Sequence, residues 1–235
     1  MNDFYQILDN PVWNALQTTH KNYAKGTSTI QKYPADMLQI LGCENPAAAK
    51  LEEIEPWMSP GEKLFMVGEL APLPAGWNIY NKIECVQMVC EKTLFPSGSE
   101  IDIISLNEKD NEEMLALINQ VQPGYFHHNT RLSGRYFGIR HDNKLIAMAG
   151  ERLCMTGFTE ISAVCTHPSY TGKGYARQLV AHITHTNLSE GKLPFLHFVT
   201  TNIRARKIYE LLGFTERRLI PFWGLTYLNT DKPAG

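Results

Sequence analysis

The sequence has no apolar run approaching the ~20 residues that a membrane-spanning helix needs, so neither a transmembrane segment nor a membrane partner is expected. Its first ten residues, MNDFYQILDN, are polar and acidic, unlike a secretory signal, and a cytoplasmic location is expected. Positive charge is not in excess. Lys and Arg number 22 against 24 Asp and Glu, a net charge of -2. A general nucleic-acid binder carries a basic surface, so no nucleic-acid partner is expected. Cysteine is sparse: Cys43, Cys85, Cys90, Cys154 and Cys165 are odd in number and form no C-x-x-C. They read as reduced, buried thiols. The eight histidines show no H-E-x-x-H spacing, and no metal is expected. There is no internal repeat and no low-complexity tract.

What is present is enough apolar material for a core: 43% of 235 residues are hydrophobic, which suits one large domain or two small ones. The turn-rich FPSGSE, Phe95 to Glu100, marks a candidate boundary between a segment 1–97 and a module 98–235. In the module, Glu100 to Ser105 alternates as a strand. Asp110 to Val121 has helical spacing, with Asp110 and Glu113 placed as a capping box. Tyr136 to Arg140 and Leu145 to Leu153 read as strands joined by the polar turn HDNK, and Phe158 to Thr166 as a third. Helices are expected over Tyr175 to Glu190 and Asn202 to Leu212, the latter closed by Gly213. Phe195 to Val199 and part of Thr215 to Tyr227 complete the strands. The order predicts an α/β (α+β) fold: a mixed sheet with helices on its faces. Segment 1–97 is less patterned. Helices are expected over Pro11 to Ala24, Pro34 to Leu41 and Pro46 to Ile54, strands over Lys63 to Leu70 and Ile79 to Cys90, and a loop at Ala71 to Trp77.

The stretch HPSYTGKGYARQLV, His167 to Val180, runs from a strand through a glycine turn straight into a helix. Small residues let the main chain approach a phosphate, and the helix start offers unpaired N–H donors. A Walker loop needs a hydroxyl after its lysine, but Gly174 and Tyr175 follow Lys173. A Rossmann fingerprint needs a third glycine where Arg177 stands. Both nucleotide motifs fail on register.

T-G-K-G-Y-A, Thr171 to Ala176, resembles the [RQ]-x-x-G-x-[GA] loop of the GNAT superfamily of acyl-CoA-dependent N-acyltransferases. The preceding EISAVCTHPSY resembles that family's fourth strand. N-I-R-A-R-K-I-Y-E-L-L-G-F, Asn202 to Phe214, resembles its N-x-x-A-x-x-x-Y-x-x-x-G-F helix. The resemblance covers roughly Glu100 to Tyr227, and is nearest to a subgroup with a divergent N-terminal segment. Thr171 departs from the pattern, which prefers Arg or Gln there.

The resemblance implies a mostly antiparallel twisted sheet flanked by helices, with residues 1–97 as a divergent α/β segment that helps to complete the acceptor site. It implies acetyl-CoA as co-substrate. The pyrophosphate would lie on Gly172, Lys173, Gly174, Tyr175 and Ala176, with Arg177 at the edge and Asn202 in contact with the coenzyme. The pantetheine arm would pair with Val164, Cys165 and Thr166, between strands that splay apart. The implied reaction is direct acetyl transfer to a primary amine of a small molecule or peptide, by a monomer or homodimer. Tyr209 matches the tyrosine that protonates the leaving thiolate. Glu160 is the first candidate base, Glu151 the second and His167 the third. Asn202 also stands where an N-cap belongs. His127 and His128 read as a loop pair near the acceptor region, and Cys165 as a buried thiol, not a nucleophile. The alternative function is a catalytically silent CoA-binding or sensing module.

Overall fold

A computed structural model describes residues 3–94 and 101–228; the expected boundary at Phe95–Glu100 lies outside them. The chain forms two compact units, one of Met1–Ala35, Gln39–Cys85 and Leu219–Gly235, the other of Asp36–Leu38 and Val86–Arg218. The elements in chain order begin with α1 (Pro11–Gln17), β1 (Lys25–Gly26), β2 (Ile30–Lys32), β3 (Ile40–Cys43), β4 (Lys63–Val67) and β5 (Trp77–Val89). They continue with β6 (Ile104–Leu106), α2 (Asn111–Val121), β7 (Tyr136–His141), β8 (Lys144–Met155) and β9 (Phe158–Thr166). The last are α3 (Tyr175–Ser189), β10 (Leu193–Val199), α4 (Ile203–Leu211) and β11 (Thr215–Tyr227). The divisions between units fall within β5 and β11. Among the described residues no helix is long and apolar enough to cross a membrane.

The first unit places its strands in the order β1-β2-β3-β4-β11, with β3 and β4 parallel and β1–β2, β2–β3 and β4–β11 antiparallel. Here the sequence misleads most. The helix expected to Ala24 stops at Gln17, and Lys21–Tyr23 is a separate 3-10 turn. Pro34 to Leu41 is not helical but leads into β3, and Pro46 to Ile54 splits into two 3-10 turns. The reason lies in burial: all four residues of β3 are buried. A strand covered on both faces shows no period of two.

The second unit has the order β11-β5-β10-β9-β8-β7-β6. β6 to β9 pair antiparallel, and β9 pairs parallel with β10. The β7–β8 turn is carried by Asp142 and Asn143, both with positive φ (49° and 61°), as a two-residue hairpin of this hand requires. On one face Leu179, Val180 and Ile183 of α3 and Tyr209 of α4 pack with Ile139, Ala147, Ala149, Ile161, Leu196 and Phe198. On the other, Met114, Leu117 and Ile118 of α2 pack with Tyr136, Leu145, Met148 and Cys165. Alternate residues of each strand serve alternate faces, so helices flank the sheet on both sides. The cap of α2 is not the expected one. Asn107 caps a 3-10 turn instead, and its N–H donates to Asp110 Oδ2 at 2.8 Å. Asp110 and Glu113 both accept from Arg140, each at 2.6 Å.

The β8–β9 hairpin carries two register faults. Gly150 to Met148 on β8 faces the longer Ser162 to Cys165 on β9, and Glu151 to Cys154 faces the shorter Ile161 to Thr159. The first is a bulge on β9, and its extra residue includes Ala163, held at φ 52°.

Candidate active site

β9 and β10 are bonded only from Phe158–Leu193 to Ile161–Leu196. β9 then runs on to Thr166 and β10 to Val199, with no further rung between them. This opens a slot in the middle of the sheet, and Ser162, Ala163 and Val164 along its β9 side are only half-buried. The bulge at Ala163 supplies the bend.

β9 leads through His167-Pro168 into the glycine turn. Gly172 and Gly174 both sit at φ 82°, in the left-handed region that glycine enters freely. A Cβ on Gly172 would meet nothing within 4 Å, so the turn stands open. Gly174 is the N-cap of α3 and has no side chain with which to cap it. The first backbone bond of the helix runs from Gln178 N to Gly174 O at 3.1 Å. The N–H groups of Gly174, Tyr175, Ala176 and Arg177 therefore precede the intrahelical ladder. Lys173 lies with its Nζ 5.2 Å from the Tyr170 ring centre. Two buried atoms beside this region, Thr166 Oγ1 and Gln178 Oε1, have no hydrogen-bond partner. An open glycine turn at an uncapped helix start, two orphan polar atoms and a slot of exposed strand backbone fit a ligand with phosphates at one end and amides along its length. That is the form of acyl-CoA. Asn202 caps α4, its Oδ1 accepting from Ala205 N at 3.0 Å.

Tyr209 is buried between Phe198 and Phe214, with ring centres 5.5 and 6.0 Å away. Burial pushes its hydroxyl up to about 12, so it keeps its proton at neutral pH. Burial likewise pushes the Cys165 thiol, in the α2 cluster, up to about 12. His167, third among the candidate bases, has its Nδ1 accepting from Ser169 N at 3.2 Å at the turn before the glycines.

The two candidate carboxylates lie in different settings. Glu151 accepts from Arg135 N and Nε at 3.0 Å, from Arg135 Nη2 at 2.7 Å and from Asn187 Nδ2 at 2.9 Å. These four bonds fill a carboxylate's acceptor sites. Asn187 stands twelve residues along α3 from its start, roughly 18 Å from the glycine turn at 1.5 Å per residue. Glu160 is fully buried. Its oxygens accept from Arg152 Nη2 at 2.5 Å, Arg152 Nε at 2.8 Å and His197 Nδ1 at 2.7 Å. Burial works to raise its pKa, but the Arg152 charge and the hydrogen bonds of Arg152 and His197 outweigh it and bring it to about 2. Glu160, set like this, is far from the near-neutral basicity that suits a general base acting alone.

A family model described as FR47-like protein matches residues 136–222. A solved structure of a protein assigned to the GNAT family of acetyltransferases, from Novosphingobium aromaticivorans, is 28% identical. The match covers 94% of this chain and 98% of that one, with a TM-score of 0.81. The chain is similar to this GNAT-family acetyltransferase over nearly its whole length and has its fold. A GCN5-related N-acetyltransferase from Kribbella flavida shares the fold at 16% identity, covering 100% of this chain and 97% of its own, with a TM-score of 0.63. A GCN5-related N-acetyltransferase-like protein from Streptococcus suis does so at 15%, covering 85% and 82%, with a TM-score of 0.51. No curated protein matches. The mixed, mostly antiparallel sheet flanked by helices is the GNAT fold, a fold of acyl-CoA-dependent acetyl transfer.

This GNAT sheet also brings together residues that sequence reading did not single out. Arg152 on β8, Glu160 on β9, His197 on β10, Gln87 on β5 and Arg217 on β11 form one hydrogen-bonded row across five neighbouring strands. A signal was present. Gln87 in VQMV and His197 in FLHFV are lone polar residues inside apolar strands.

Proposed function

We propose that the chain moves an acetyl group from acetyl-CoA to a primary amine of a small molecule or peptide by direct transfer. One observation carries this reading: the rungs between β9 and β10 end at Ile161–Leu196, beside a helix start that no side chain caps. The pyrophosphate would rest on the backbone of Gly172, Lys173, Gly174, Tyr175 and Ala176, with Arg177 beside them. Free N–H groups and the helix dipole favour an anion there, by roughly 0.3–1 kcal/mol per interaction when exposed. The amides of the pantetheine arm would pair with the open edge at Val164, Cys165 and Thr166, as an added strand does. A thioester carbonyl in the slot would meet a strand N–H as its oxyanion donor. Tyr209 would give its proton to the departing thiolate, and Asn202 would contact the coenzyme while capping α4. When bound, acetyl-CoA supplies the activated acyl group. The chain's own residues orient it and handle protons.

The test is a thermal melt with CoA and acetyl-CoA, followed by detection of free thiol across a panel of primary amines. A ligand at a hundred times its Kd adds about 2.7 kcal/mol to stability and raises Tm. Acetylation of at least one amine, dependent on the protein, is the expected result. No melting shift with either ligand at millimolar concentration would overturn the reading.

A further inference from the structure

The last rung between β9 and β10 joins Ile161 to Leu196, so Ser162 is the first residue of β9 beside the slot. On its other side Ser162 pairs with Gly150, and Gly150 with Tyr136, in one row across β9, β8 and β7. Residues paired across strands share a face of the sheet. Tyr136 belongs to the α2 cluster, so the Ser162 side chain leaves the sheet on the α2 side. Gly150 makes the row compact: a Cβ there would lie 2.2 Å from the Tyr136 ring, so the ring rests on the Gly150 backbone. The Tyr136 hydroxyl bonds to Ser133 Oγ at 3.2 Å and not to Ser162.

The two faces of the slot's closed end differ. On the α3 and α4 side, Ile161, Leu196, Phe198 and Tyr209 are all buried and packed together. An acceptor finds no polar opening there. On the α2 side, Glu160 and His197 bond to each other, and their side chains are 0% and 2% exposed. Both are shut away from a ligand. Ser162 differs from them. The residue is only half-buried, and its Oγ is neither buried nor hydrogen-bonded to any described residue. Of the polar side chains that β9 and β10 carry past their last rung, Thr166 has its Oγ1 buried and His197 is bonded on both ring nitrogens. Ser162 alone of these three presents an open, uncommitted oxygen, and it does so where the sheet begins to part.

We propose that the acceptor amine enters from the α2 side and that Ser162 Oγ accepts a hydrogen bond from its attacking nitrogen, as a catalytic residue of the transfer. The proposal rests on the slot being the thioester site. The amine lone pair forms the N–C bond to the thioester carbonyl carbon, and positive charge builds on the nitrogen. The N–H to Oγ bond strengthens with that charge, because a bond from an ionised donor is roughly twice as strong as a neutral one. The C–S electron pair leaves with sulfur, which takes the Tyr209 hydroxyl proton. The surplus proton on nitrogen passes to the Ser162 oxygen as the hydroxyl's own proton passes to water. Water returns a proton to the Tyr209 phenolate, so amine plus acetyl-CoA gives amide plus CoA. An interaction that grows on the way to the transition state acts on kcat more than on KM.

Turnover is measured by thiol release with acetyl-CoA and the primary-amine panel, beside melts with and without CoA. Ser162→Ala should lower kcat about 10- to 100-fold, the worth of one hydrogen bond to a charged group. KM for acetyl-CoA should stay within about threefold, and Tm and the CoA melting shift should hold, since the hydroxyl has no partner in the fold to lose. Ser162→Thr keeps the hydroxyl and should stay faster than the alanine variant. Ser162→Gly also removes the hydroxyl and serves where alanine is unstable. A kcat within about threefold of wild type without the hydroxyl overturns the proposal, as does a threonine variant no faster than alanine. A rate loss that appears wholly as a raised KM for acetyl-CoA also overturns it, because Ser162 would then be holding the donor. So does a wild type that binds CoA but acetylates no amine of the panel. A wild type whose melt does not respond to CoA or acetyl-CoA sinks the donor-site reading, and the proposal falls with it.

Discussion

At Glu160 a carboxylate is fully buried, yet it is more acidic than in water because Arg152 and His197 donate to it. Its pKa falls from the ordinary ~4.3 of an unfolded chain to about 2 in the fold. A depressed carboxylate pKa gives stability that is present above the unfolded value and lost as pH falls through the folded one. Melts should therefore show a loss of Tm between about pH 4.3 and about pH 2, and Glu160→Gln should lack that portion of it. At neutral pH the same substitution leaves Arg152 beside a neutral amide and should cost about 3 kcal/mol by denaturant titration. Tyr209 belongs to this scale too. Tyr209→Phe keeps the ring between Phe198 and Phe214, so Tm should hold while kcat falls on the order of 10²-fold in the thiol-release assay. The carboxylates themselves were legible in the sequence because each is the only acid within its strand run. Their partners were not: Arg152, His197 and Gln87 meet only through the lateral pairing of strands far apart in the chain.

The two helices that frame the slot begin in opposite ways. α4 is capped by Asn202, while α3 begins on a glycine that leaves its N–H groups exposed. Asn202→Ala should cost about 1 kcal/mol as a lost cap. Asn202→Asp should keep that stability yet weaken CoA binding, because it sets a negative charge near the phosphates; calorimetry beside a melt separates the effects. In Gly174→Ala the new methyl would have its closest contact at 3.9 Å, so its cost is the φ of 82° and not a clash. About 1 kcal/mol of stability should go, together with tenfold or more in CoA affinity, since the methyl crowds the cradle. These helices were legible because amphipathic spacing and terminal signals agree: Asn202 before α4, and Gly213 with φ 95° after it. β3 was not legible, because a strand buried on both faces has the same apolar run as a buried helix. Gly42 within it hides a further reason. A Cβ there would lie 2.6 Å from the Trp13 backbone, a close approach that no local pattern announces.

On the scale of the whole chain, the second unit depends on residues far upstream of its other elements. Val86, Met88 and Cys90 belong to its core, and Gln87 bonds His197. A fragment of residues 98–228 should therefore fold poorly and show no CoA melting shift, while the full chain shows one. That dependence is invisible in composition, because β5 is one continuous strand whose two parts serve different units. The module after residue 100 was readable because its local signals agree with one another; in the first unit β1 to β4 have only two to five residues and stand among 3-10 turns, which gives each signal too little length. The two faults of the β8–β9 hairpin carry one more consequence. Between them the strands are one residue out of step, and beyond both they are back in step. Because side chains alternate faces, losing Ala163 alone would turn Cys165 and Thr166 to the wrong sides of the sheet. The hairpin behaves like a reading frame: a single insertion or deletion garbles it, and only a compensating change at the second fault restores the sense.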